Sequence, residues 1–179
     1  MTDSPLVGGK RRIDQVLGDG FTEGLDALDT VEVRRRRDLA RGEVEYLSFL
    51  RRLLQGRRDI LRDELDRRRT GGASPPIVER IVSVLSEGTR GPSRGEAPMI
   101  PLPDDEIAIA RRRVERLLAD SALSDLEGLT DDRLEESITR IEEEERGVSD
   151  SRAKVIEVHD ALQEEMKRRL RAELSNLPG

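Results

Sequence analysis

Residues 134–166 read LEESITRIEEEERGVSDSRAKVIEVHDALQEEM. Steps of three and four residues pick out Leu134, Ile138, Ile141, Glu145, Val148, Arg152, Val155, His159, Leu162 and Met166. On a helix these positions share one side. The seam is apolar at both ends, and Glu145, Arg152 and His159 interrupt it in the middle. A stripe at this spacing predicts a helix that pairs with another. The helix is predicted to open at Thr130, followed by Asp131 and Asp132, and to run to about Leu174, where Pro178 and Gly179 follow.

The partner lies upstream. From Thr30, read as an N-cap, to about Arg69 the chain is rich in helix formers and holds no proline. The same spacing there gives Val33, Arg37, Ala40, Val44, Leu47, Arg51, Leu54, Arg58, Leu61 and Leu65. Again the middle turns polar. The predicted fold is all-α, with the two long helices forming an antiparallel coiled-coil hairpin. A short N-terminal helix precedes it, and short helices with loop make the connection.

The expected organisation is a disordered tail over 1–11 and a single helical domain over 12–179. The domain comprises a long helix 30–69, a connector 70–129 and a long helix 130–174. Within the connector, PPIVERIVSVLSEG (75–88) reads as a short amphipathic helix, TRGPSRGEAPMIPLP (89–103) as a loop, and DDEIAIARRRVERLLAD (104–120) as a further helix. SALSDLEGL (121–129) turns the chain.

Composition agrees with narrow seams. Of 179 residues 39% are charged and only 2% aromatic, and there is no Trp. A large aromatic core is excluded. The net charge of −6 disfavours direct, nonspecific DNA binding, which needs an excess of cations at phosphates. The absence of Cys rules out disulfides and thiolate metal sites. No run is long and apolar enough for a membrane span or signal peptide, so the chain is expected to be cytoplasmic. No Gly-rich phosphate loop and no nucleophile–His pair stands out, so no enzyme and no metal are expected.

An internal repeat gives the polar residues their meaning. A shift of 101 residues lays Ser48 on Ser149, Arg51 on Arg152 and Asp59 on Asp160. It also lays Leu61, Glu64, Arg67 and Arg68 on Leu162, Glu165, Arg168 and Arg169. At about 100° per residue, Ser48, Arg51, Gln55 and Asp59 span an arc of about 80°, and Glu145, Ser149, Arg152 and Asp160 do the same. A charged stripe is ordinarily a solvated face, and polar seam residues can simply fix pairing register. Register needs no repeated Ser-x-x-Arg with a downstream Asp. Two such stripes on paired helices suit an anionic ligand with twofold symmetry.

The pattern Glu-x3-Ser-x2-Arg-x3-Gln-x3-Asp, once on each long helix, resembles the signature of the RsiG family of actinobacterial anti-sigma factors. LSFLRRLLQGRRDILRDEL (47–65) and LSDLEGLTDDRLEESITRIEEEERGVS (123–149) carry the resemblance further, and it covers most of 12–172. It implies a protein that binds cyclic di-GMP as an intercalated pair between its long helices. So loaded, the protein would sequester a WhiG-type sigma factor in sporulation control. It also implies ligand contacts from Ser48, Arg51, Gln55, Asp59, Glu145, Ser149, Arg152 and Asp160. Arg58 joins them by charge and position, and His159 reads as an ordinary seam residue. The copies depart from the pattern at Val44, where Glu is expected, and at Ile156, where Gln is expected. The chemistry suits guanine, whose N7 and O6 accept from a guanidinium and whose N–H groups donate to a carboxylate. With both motifs in one chain, the free protein is expected to be a monomer. The alternatives are a messenger sensor with a different protein partner, and a helical scaffold with no ligand.

Overall fold

A computed structural model describes residues 11–71, 102–117, 126 and 128–175. The expected tail, the 75–88 helix, nearly all of the 89–103 loop and most of the 121–129 turn lie outside the described residues. The elements in order are α1 (Arg12–Val16), a 3-10 turn (Leu25–Ala27), α2 (Thr30–Thr70), α3 (Asp104–Leu117) and α4 (Asp131–Ser175). All regular structure among the described residues is helical, and the two long helices pack through their seams.

The ends of the long helices follow local chemistry. Asp29, rather than Thr30, caps α2: its Oδ1 accepts from the Glu32 backbone N–H at 2.7 Å. Thr30 is instead the first helical residue. A carboxylate satisfies an orphan N–H and also suits the positive end of the helix dipole. Thr130 precedes α4, and its Oγ1 accepts from the Arg133 N–H at 3.4 Å. Gly71, with φ of 64°, closes α2 in the left-handed region that other residues avoid.

Burial reproduces the seam. Every seventh residue is buried on both helices: Val33, Ala40, Leu47, Leu54 and Leu61 on α2, and Leu134, Ile141, Val148, Val155 and Leu162 on α4. The alternate positions Arg37, Val44, Arg51 and Arg58 are half-buried, as are Glu145, Arg152, His159 and Met166. Each buried Leu contributes about 1.5–3 kcal/mol of transfer free energy. At a half-buried position a charge need not lose all of its hydration.

The chain divides into two compact units, the first Met1–Val44 with Ser151–Gly179 and the second Glu45–Asp150. Each takes one part of α2 and one part of α4. In the first, α1 docks on α2: Arg12 Nε donates to Glu43 at 2.6 Å, and Arg12 Nη2 donates to the Gly42 carbonyl at 3.0 Å. A Cβ at Gly42 would come within 3.3 Å of that guanidinium, so a small residue admits it. In the second, α3 buries Ala110 and Val114, and Arg113 pairs with Glu144 at 2.7 Å. Arg113 and Glu144 stand 101 residues after Arg12 and Glu43. The repeat therefore reaches the short helices as well as the long ones.

Each unit also has an arginine latch. Buried Glu64 binds Arg67 and Arg68, and Arg68 donates onward to the carbonyls of Leu126 and Leu129 and to Asp131. Buried Glu165 binds Arg168 and Arg169; Arg169 donates to the Leu25 carbonyl and Thr30 Oγ1, and Arg168 reaches Asp26. Thus the last turns of each long helix grip the turn that starts the other. Within each unit the two helix segments therefore run antiparallel.

Candidate ligand site on the polar seam

The second unit gathers seven of the nine expected site residues. Arg51 is half-buried on α2, and its Nε is fully buried with no hydrogen-bond partner. One turn before it, Ser48 is half-buried and already engaged in a contact. Gln55 Nε2 donates to Glu145 Oε1 at 2.5 Å, and Arg58 Nη1 donates to Glu145 Oε2 at 2.8 Å. Arg58 also donates from Nε and Nη2 to Asp59, at 3.0 and 2.9 Å. Asp59 keeps about half of its side chain in solvent, at 48%. Ser149 is half-buried one turn beyond Glu145 on α4.

Electrostatics at this knot favour the charged form of Arg58. Burial pulls the Arg58 pKa down, but the hydrogen bond to Asp59 and the charges of Asp59 and Glu145 push it above its ordinary value. Cross-helix pairs flank the knot, Arg62 with Glu142 and Arg69 with Glu135. Glu145 thus holds an arginine in place, while Val44 in the other copy offers no carboxylate for this.

Arg152 and Asp160 belong to the first unit. Arg152 is half-buried and has contacts of its own. Asp160 is exposed, with Oδ1 at 3.1 Å from His159 Nδ1. Ile156, at the expected Gln position, is half-buried on the same helix. Spacing brought out the seam residues but gave Glu64, Arg67 and Arg68 no role, although the repeat had marked them. Their latch was hidden because its acceptors are mainly backbone carbonyls, which side-chain patterns do not display.

Residues 19–85 match the family model described as RsiG-like. The chain is RsiG-like over this segment. The match takes in the 3-10 turn and the whole of α2 with its copy of the motif, and it supports the RsiG family assignment. It points to a regulator of the anti-sigma type with a sigma factor as partner. No curated protein matches the chain. Among the described residues, no helix is long and apolar enough to cross a membrane.

Proposed function

We propose that this RsiG-like protein is an anti-sigma factor that takes up cyclic di-GMP on its polar seam and, so loaded, sequesters a sigma factor of the WhiG type. The observation that carries the ligand is Arg51. A buried guanidinium N–H without a partner costs free energy that folding does not recover, and a nucleotide acceptor would satisfy it. Arg51 can place its planar fork on guanine N7 and O6. Ser48 and Ser149 can donate to phosphate, Asp59 can accept from guanine N–H groups, and Arg58 can balance phosphate charge. The second motif copy continues along α4 through Arg152 and Asp160, which take the same roles by the repeat. No step of catalysis is required.

Ligand and partner are coupled in this reading because the nucleotide favours one arrangement of the helices that carry it. Reciprocity then requires the sigma factor to tighten the nucleotide as much as the nucleotide tightens the sigma factor. Calorimetry of cyclic di-GMP against the protein, with and without a WhiG-type sigma factor, tests both halves. Saturable nucleotide binding that strengthens with the sigma factor is expected. Equal sigma affinity with and without nucleotide would defeat the coupling.

One observation favours the helical scaffold instead. Glu145 already satisfies Gln55 and Arg58 within the protein. No heat from cyclic di-GMP under either condition would decide for that reading.

A further inference from the structure

The two units follow one plan, offset by 101 residues, so each is a control for the other. The Arg12–Glu43 pair recurs as Arg113–Glu144, and the Glu64 latch recurs as the Glu165 latch. Where both copies make the same contact, as in these pairs, the fold uses it. Where an exposed position is charged in one copy and apolar in the other, folding requires neither.

The first unit departs from the plan on its exposed surface as well. Val31, Leu170 and Leu174 are 74%, 57% and 60% exposed. In the second unit the counterparts of Val31 and Leu170 are Asp132 and Arg69, both exposed. Arg69 there pairs with Glu135, and the counterpart of Glu135 is Arg34. A surface salt bridge in one unit is therefore replaced by a leucine and an arginine in the other. Arg34 is exposed, and its guanidinium has no ion pair among the described residues.

These residues lie together at one end of the first unit. Leu170 and Leu174 are one turn apart on the same face of α4. Arg169, next to Leu170, donates to Thr30, next to Val31, at 3.3 Å. Arg34 is one turn from Val31, and exposed Arg171 adjoins Leu170. Apolar side chains held in water beside an exposed cation contribute little to the free unit, but they suit an interface.

We propose that Val31, Leu170 and Leu174 form a docking face for an amphipathic helix of a partner protein, one that presents aliphatic side chains flanked by carboxylates to meet Arg34 and Arg171. Resting on the function proposed above, that partner is the sigma factor. An acidic helix fits because Arg34 has no ion pair among the described residues, and complementary charge sets both specificity and encounter rate.

The test puts the second unit's residue types onto the first. The double variant Val31→Asp, Leu170→Arg should keep wild-type helix content and melting temperature, because both positions are exposed and the new carboxylate, one turn from Arg34, offsets the added cation. In the presence of cyclic di-GMP its affinity for a WhiG-type sigma factor should fall at least tenfold. Arg34→Glu should weaken binding too, and should reduce its dependence on salt. Wild-type affinity in the double variant would overturn the docking face and leave the proposed function standing. A free protein that is dimeric, and that the double variant makes monomeric, would assign the face to a second copy and also overturn the proposal. If the wild-type protein binds no sigma factor at all, both readings fall.

Discussion

Arg58 and Glu145 meet at 2.8 Å inside the second unit, with side chains only 21% and 14% exposed. The same carboxylate accepts from Gln55, and the same guanidinium also holds Asp59. One carboxylate thus ties Gln55 and Arg58 of α2 to α4. Such a knot specifies register better than it adds stability, since partly buried charges lose hydration on pairing.

Removing Glu145 should nonetheless cost stability, because Gln55 and Arg58 would keep their burial and lose an acceptor. For hydrogen bonds to a charged group the expected loss is about 1.5–3 kcal/mol. Denaturant unfolding of Glu145→Ala measures it. Asp59→Ala should cost less, because Asp59 is half in solvent and Arg58 retains Glu145. If Glu145→Ala unfolds at the wild-type midpoint, the knot is a surface ornament.

The latch of the first unit predicts a dependence on pH. Hydrogen bonds from Arg168 and then Arg169 hold the Glu165 carboxyl down to about 2, from an ordinary 4.5. A depressed carboxylate stabilises the fold fully above its unfolded value and loses that contribution as pH falls toward its folded value. Stability should therefore decline from about pH 4.5 to about pH 2. Glu165→Gln should already be less stable at neutral pH, and its melting temperature should fall less steeply across that window. Some slope should remain, since Glu32, held by Arg35 and Arg36, is also depressed to about 2. Parallel melting curves for wild type and variant through this range would remove Glu165 from the account.

The apolar line between the polar positions sets the overall stability. Leu54 is fully buried beside Arg51 and Arg58 in the seam sequence. Leu54→Ala should destabilise by about 2–5 kcal/mol, the range for a core leucine replaced by a cavity. Leu174→Ala, at an exposed position, should change the unfolding midpoint little. Comparable losses at both would mean that the seam is not the core.

Much of this was legible in the sequence because the seam is periodic. Leu47, Leu54 and Leu61, like Val148, Val155 and Leu162, recur every seventh residue, and the buried set follows that rhythm. The polar stripe was legible for the same reason, with Gln55, Arg58, Asp59 and Glu145 sharing one neighbourhood. The cap of α2 was misplaced by one residue, because Asp29 and Thr30 are both competent caps and only backbone geometry chooses between them. The latches were not legible, because Arg68 and Arg169 bind backbone carbonyls of short turns that have no periodic pattern. The extension of the repeat to Arg12 and Arg113 could have been found by carrying the shift of 101 residues towards the N-terminus.

Arg51 offers the sharpest test of the proposed ligand. Its Nε is buried and makes no hydrogen bond within the protein, so truncating the side chain removes no internal bond of that atom. Charges at heptad core positions also weaken helix pairing, so Arg51→Ala should unfold at the wild-type midpoint or above it. Cyclic di-GMP binding should weaken by about 1–3 kcal/mol, the value of one good bidentate contact to guanine. Arg51→Lys should not restore it, because an ammonium is a point charge and cannot reproduce the planar fork. The double variant with Arg152→Ala should bind weakly or not at all. Calorimetry on the three proteins, each checked for melting, separates the outcomes. If affinity holds in the double variant while the helices stay folded, the buried Nε of Arg51 is a cost of register and the nucleotide reading of the seam fails.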